Sequence, residues 1–383
     1  MLIGYDKRTR TMTAWLLLLF IGTMVVMNVL TPDKDFAEAE NRVLEKPPAF
    51  ELRSLLSGTF TASYERYVSD QFAFRGVWVG IKTDAERIVG KKDSNGVYLG
   101  EDGYLFQHFT SPNAAEVEKR IAAIHSFHRA TPGLNKYVML VPTSAALLAD
   151  KLPANAQTGN ERAAINQVQQ SLRSDIRFVE VYPALHDHRG MSIYYKTDHH
   201  WTSTGAYYGY QALCRRMGIV PKSEAAFDIR QATDKFYGSL YSKSGYRHLK
   251  PDRIDLYLPR EESQIRVEYV DEGRTTNSLY ELEQLNKKDK YAVFLNGNHP
   301  LIRITMANPT GKKLLVIKDS YANSLVPFLL EHFAEIDVVD LRYYDESLLK
   351  LVEDRQFQDM IILYNVHTFF EDISILNLSE VTK

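Results

Sequence analysis

Between Leu314 and Tyr364 short apolar runs alternate with stretches of helical spacing, and this pattern constrains the fold most. LLVI at Leu314 to Ile317, IDVVDL at Ile336 to Leu341 and MIILY at Met360 to Tyr364 read as strands. A helix is expected from about Ser324 to Phe333, and a second carries Leu348, Leu351 and Val352. Strands buried on both faces are apolar throughout, and strands separated by helices pair in parallel. The expectation is a βαβαβ unit in a parallel sheet covered on both faces.

The same alternation reaches further back. Val117, Ile121 and Ile124 have helical spacing, YVMLV at Tyr137 to Val141 stops at Pro142, and Ile165, Val168 and Leu172 mark a helix before IRFVEV at Ile176 to Val181. Upstream, residues 54–89 are helical in period, and Asn95-Gly96 with Glu101-Asp102-Gly103 brackets a short hairpin. Residues of about 227–309 break the rhythm: IDLYLP, IRVEYV and YAVFLN are separated by turn and charged residues, as in a mainly β insertion. There is no internal repeat.

At 383 residues the chain can bury one large core or two. MTAWLLLLFIGTMVVMNVL, Met12 to Leu30, carries no charge and is long enough to span a bilayer. Lys7, Arg8 and Arg10 precede it and Asp33, Asp35, Glu38 and Glu40 follow, which orients the chain with a cytoplasmic tail at 1–11 and the bulk outside. A cleaved signal peptide competes with an uncleaved anchor at 12–30; the length of the apolar stretch and the lack of a small-x-small site after it favour the anchor. Residues 31–53, ending in a double proline, read as a juxtamembrane linker to an extracytoplasmic domain at 54–383. A net charge of −2 without a long basic tract argues against nucleic acid as a partner. The single cysteine, Cys214, excludes an internal disulfide and reads as a small core residue.

Functional groups of an open α/β sheet collect after its strands. Lys318-Asp319-Ser320-Tyr321 follows LLVI, and Asn365 follows MIILY. Ser320 occupies a strand-to-helix turn, where it serves either as a helix cap or as a nucleophile beside backbone N–H groups such as that of Tyr321. Asn365 is either a second oxyanion donor or a strand terminator. A nucleophilic serine needs a base held by an acid. In YYKTDHHWTSTGAYYGY, Asp198 and His200 are two apart and point the same way in an extended or turn segment, leaving His199 to point elsewhere. Thr202 or Ser203 is the expected cap of the next helix. A metal site at Asp198, His199 and His200 is the rival, weakened by the divergence of adjacent histidines and the absence of a partner motif. A capping loop around a buried Trp201 is the structural alternative. His186-Asp187-His188 reads as a solvated turn.

The order of AENR at Ala39 to Arg42, SDQFAFR at Ser69 to Arg75, GVYLGEDGYLF at Gly96 to Phe106, YKTDHHWT, FYGSLYSKSG at Phe236 to Gly245, IKDSYANS and VVDLRYY resembles the DHHW family. That family is related to the alginate O-acetylation proteins and to the wider SGNH hydrolases. The resemblance implies a three-layer α/β/α sandwich with a permuted motif order and a Ser–His–Asp triad of Ser320, His200 and Asp198, Asn365 standing at the oxyanion asparagine. Lys318 replaces the glycine of the Gly-Asp-Ser block. It further implies an extracytoplasmic O-acetyltransferase or acetylesterase on an exopolysaccharide or cell-wall polymer, working with a membrane-bound O-acyltransferase and no cofactor. Trp201, Tyr207 and Tyr208 are candidates for stacking on sugar rings, with the core as their other destination. A glycan-binding protein without chemistry is the alternative function, and it predicts a gap between His200 and Ser320.

Overall fold

A computed structural model describes residues 7–37, 40, 42–261, 264–307 and 311–379. Residues 1–6 of the expected tail, Glu38, Ala39 and Asn41 around AENR, and residues 308–309 at the end of the expected insertion lie outside the described residues. The chain forms two compact units, residues 1–91 with 245–247 and residues 92–244 with 248–383. The helices between 54 and 89 therefore group with the N-terminal segment.

In the first unit the helix Lys7–Leu30 contains, at Arg8–Leu30, a stretch long and apolar enough to cross a membrane. The helices Thr59–Asp70 and Arg75–Ile88 follow. The segment read as an extended linker is tied down: Arg42 forks onto Asp70, with Nη1–Oδ2 2.8 Å and Nη2–Oδ1 2.6 Å. Such bidentate pairs fix orientation as well as charge.

The second unit is mixed α/β around an eight-stranded sheet. Its strands are β1 (Asn135–Val141), β2 (Ile176–Phe178), β3 (Ile265–Tyr269), β4 (Arg274–Thr276), β5 (Leu301–Met306), β6 (Lys313–Lys318), β7 (Glu335–Val339) and β8 (Asp359–Asn365), in spatial order β4-β3-β5-β7-β6-β8-β1-β2. From β7 to β2 all pairs are parallel, whereas β5, β3 and β4 extend the sheet antiparallel. Successive side chains of a strand point to opposite faces. Leu314 and Val316 accordingly join a core with Trp201, Tyr210 and Phe328, while Leu315 and Ile317 join another with Ile121, Phe127 and Phe369.

Helices cover both faces. The helix Ala114–Ala130 starts with a capping box of Asn113 and Glu116 and buries Val117, Ile121, Ile124 and Phe127 at helical spacing. On the other face, Ser203–Met217 is capped by Thr202, whose Oγ1 accepts the Gly205 N–H at 3.2 Å, and it ends at Gly218 with φ +72°. The left-handed glycine satisfies the terminal carbonyls.

Three expectations are corrected. Residues 227–309 are no separate β insertion: the ribbon Phe227–Phe236 with Asp252–Pro259 is a two-stranded sheet of its own, whereas β3, β4 and β5 belong to the eight-stranded sheet. The run YAVFLN is no strand: Lys290–Val293 is a 3₁₀ turn, and Leu295, Asn296 and Gly297 are all left-handed, at φ +56°, +57° and +87°. Short apolar runs do not distinguish strand from turn, and Asn-Gly favours positive φ. The helix expected near 324–333 consists of 3₁₀ segments, Ser320–Ser324 and Val326–His332, broken where Pro327 lacks an N–H.

Candidate active site

Strands β6 and β8 are parallel neighbours, and their C-terminal ends bring Ser320 and Asn365 to the same edge. Asp319 ties the two ends together: its buried carboxylate accepts the Tyr321 N–H through Oδ1 at 2.9 Å and the Asn365 N–H through Oδ2 at 2.8 Å. Ser320 opens the 3₁₀ turn and is half-buried. Lys318 precedes Asp319 at the end of β6. Its side chain is fully buried, with Nζ 3.3 Å from Asp340 Oδ2 and 2.6 Å from Asn298 Oδ1.

The stretch from Tyr194 to Trp201 is a tight loop closed by an antiparallel bridge between those two residues. Asp252 secures it, accepting the N–H groups of Lys196 and Thr197, both at 2.8 Å, and the Thr197 hydroxyl at 2.5 Å. Within the loop, Asp198 Oδ1 accepts the His200 N–H at 3.0 Å and lies 2.5 Å from His200 Nδ1. The other carboxylate oxygen accepts the Ser239 N–H at 2.7 Å. That bond needs a close approach of backbone, and a Cβ on Gly238 would lie 2.2 Å from Asp198 Cβ. His200 Nε2 lies 2.7 Å from Ser320 Oγ. Asp198, His200 and Ser320, spread over 123 positions, thus form one hydrogen-bonded line.

Burial alone would raise Asp198, but His200, His199 and the Ser239 N–H outweigh it and hold the carboxyl well below its ordinary range. Burial, reinforced by His200, lowers His199 to about 4 and keeps it neutral near pH 7. His199 and His200 have ring centroids 3.8 Å apart, and His199 Nδ1 lies 2.6 Å from Ser239 Oγ. The other face of His200 is covered by Tyr291, stacked at 3.7 Å and 8°. The Tyr291 hydroxyl donates toward Ser320 O at 3.2 Å or Ser324 Oγ at 3.1 Å, and burial holds this phenol well above its ordinary value.

Two residues singled out from the sequence do not fit their expected roles. Trp201 is fully buried against Gly209 and donates Nε1–H to Tyr321 O at 2.9 Å, so it offers no face to a sugar. The Tyr321 N–H is committed to Asp319 and is not an oxyanion donor in this arrangement. Asn365 caps the helix Val366–Glu371 through Oδ1, which accepts the His367 N–H at 2.9 Å; its Nδ2 donates to Val141 O at 3.1 Å. Tyr207 is core, and Tyr208 stacks on His188 at 3.6 Å. His186 and Asp187 end a short helix rather than a turn. One ligand atom from each of Asp198, His199 and His200 lies within 4.8 Å of the others. Both nitrogens of His200 and Nδ1 of His199 are engaged by the hydrogen bonds above, so a metal would have to displace them.

Gly238, Ser239 and Tyr291 were missed as site residues. Gly238 and Ser239 lie in FYGSLYSKSG, whose glycine was the available signal, whereas nothing in the local pattern of YAVFLN distinguishes Tyr291 from a core aromatic.

The fold and this constellation define a mixed α/β protein with a serine, a histidine and an aspartate in line at the ends of parallel strands. A family profile described as DHHW protein matches residues 79–339, more than half of the sequence, and the chain belongs to that family. Its fold is similar to that of a DHHW family protein from Eubacterium siraeum, with a TM-score of 0.66 and 24% identity over 76% of this chain and 98% of the other. Bacillus cereus PatB1, solved with a sulfonyl adduct, is similar with a TM-score of 0.63 and 21% identity over 74% of this chain and 98% of the other. No curated protein sequence matches significantly.

Proposed function

We propose that this protein is a membrane-anchored, extracytoplasmic O-acetyltransferase or acetylesterase acting on an exopolysaccharide or cell-wall polymer, with an SGNH-like site of permuted motif order. The observation that carries this reading is the 2.7 Å contact between His200 Nε2 and Ser320 Oγ, with Asp198 on the far nitrogen. A glycan-binding protein without chemistry calls for a gap there, and the contact speaks against it.

In the proposed reaction Ser320 Oγ attacks the carbonyl carbon of an acetyl donor while His200 Nε2 takes the hydroxyl proton. Asp198, ionised and shielded from water, keeps Nδ1 protonated and stabilises the imidazolium that forms. The Ser320 N–H, first in its turn and without a partner inside it, together with the second N–H of the Asn365 amide, faces the developing oxyanion. His200 returns the proton to the leaving group. A sugar hydroxyl then attacks the acetyl-serine for transfer, or water for hydrolysis. The apolar helix at the N-terminus supports an anchor that holds the domain outside the membrane, where a membrane-bound O-acyltransferase is the donor partner this reading requires.

The test is acetyl release from a chromogenic ester by the chain, with acetyl-serine trapping. Ser320→Ala and His200→Ala are each expected to lower kcat by about 10³-fold or more. Equal activity in all three proteins, with no acetyl label on Ser320, would refute the assignment. Labelling of Ser320 by a sulfonyl fluoride, abolished in His200→Ala, gives an independent readout of its activation.

A further inference from the structure

A cleft of about 420 Å³ adjoins the Asp198–His200–Ser320 line, sharing His199, Ser239 and Asn365 with its surroundings. That volume falls in the range of about 300–1,000 Å³ typical of small-ligand sites. Its composition is unlike most of them. Such pockets are mainly apolar, whereas here Leu240 is the one aliphatic side chain among the described lining residues.

The polar groups are ordered. Gln107 Nε2 lies 2.9 Å from His367 Nε2, and an amide nitrogen can only donate, so His367 Nε2 accepts and its proton sits on Nδ1. Nδ1 lies 3.2 Å from Glu371 Oε2, which completes a relay from Gln107 through His367 to Glu371. The Glu371 side chain is 66% exposed and has acceptor capacity to spare, and Lys243 supplies a cationic donor. Across the cleft, His199 is neutral, its Nδ1 is engaged by Ser239, and Nε2 is the remaining polar atom of the ring. The walls thus interleave donors and acceptors, which suits a ligand carrying several hydroxyls and does not suit an acyl chain.

We infer that this cleft is the acyl-acceptor subsite and binds a hydroxyl-rich sugar ring of a glycan, with Glu371 and Lys243 as its recognition residues and His199 and Asn365 as the walls it shares with the Ser320 site. The inference rests on the reading of Ser320 as the acylated residue. In the transfer step a ring hydroxyl oxygen bonds to the acetyl carbon as the bond from that carbon to Ser320 Oγ breaks. His200 Nε2 takes the hydroxyl proton and delivers it to Ser320 Oγ, so the serine is regenerated and no other reactant is consumed.

The experiment follows how acetyl-enzyme formed from a chromogenic ester partitions between water and two probes, methyl glucoside at high concentration and cellopentaose. Glu371→Gln and Lys243→Ala are the variants, with thermal unfolding as the check on folding. The transfer-to-hydrolysis ratio is expected to fall about tenfold in each, through a raised acceptor KM. Absence of transfer to either probe overturns the inference. So does a ratio unchanged in both variants while Ser320→Ala abolishes transfer and hydrolysis together. If Ser320→Ala retains both reactions, the proposed function fails first and the subsite with it.

Discussion

Tyr291 illustrates how one side chain couples two others. Its ring covers His200 while its hydroxyl reaches the carbonyl of Ser320 or the hydroxyl of Ser324, so His200 and Ser320 are referenced to the same aromatic. A π-face stabilises positive charge that develops against it by about 1–2 kcal/mol when water is excluded. The groups facing His200 are Asp198 from its own loop, His199 at 3.8 Å, Tyr321 at 5.2 Å from the turn after β6, and Tyr291 itself. Tyr291→Phe keeps the ring and is expected to retain most of kcat. Tyr291→Leu should lose roughly 5- to 30-fold in kcat, by that energy. Equal loss in both variants would assign the effect to the hydroxyl instead.

At the scale of elements, the loop from Tyr194 to Trp201 is held from three sides: by Asp252, by the bridge to Trp201, and by the backbone of Gly238 and Ser239. The last is the most exacting, because a side chain at 238 would meet Asp198 Cα at 2.7 Å, a position no rotamer change relieves. Gly238→Ala is expected to move the loop and lower kcat at least about 100-fold, the usual consequence of a displacement near 1 Å at reacting groups. Gly133→Ala, where nothing lies within 4 Å of the new methyl, is the control and should leave activity unchanged. Comparable kcat in the two variants would show that the contact does not position Asp198.

For the whole molecule, a buried acid makes stability depend on pH. Glu161 begins the helix Glu161–Ser171 and accepts the Thr143 N–H at 2.7 Å and hydroxyl at 2.5 Å, just past the end of β1. Burial, only partly offset by those two bonds, raises its carboxyl to about 7. The folded state therefore holds this proton more tightly than the unfolded chain. The stabilisation is complete below the ordinary value of 4.5 and is lost as pH rises through about 7, a change of roughly 3 kcal/mol. Subtracting the unfolding free energy of Glu161→Gln from that of the wild type across pH 4–8 should reveal this slope. A difference that is flat, or that grows with pH, would rule it out.

The sheet and the two halves of the candidate site were legible in the amino-acid sequence because their signals are local. The apolar runs of β1, β6 and β8, the cap at Thr202, and the spacing of Asp198 and His200 each depend on neighbours a few residues away. The helix long and apolar enough to cross a membrane is legible for the same reason, since its 19 uncharged residues before Thr31 are consecutive. Tertiary structure decided the rest. Trp201 went to the core because Gly209 leaves room for its ring, and the Tyr321 N–H was taken by Asp319. Tyr291 stacks on His200 from the 3₁₀ turn Lys290–Val293, a contact across 91 positions that no local pattern announces. Tertiary packing brings His200 and Ser320 together across 120 positions, and a contact at that separation depends on the packing of all the chain between.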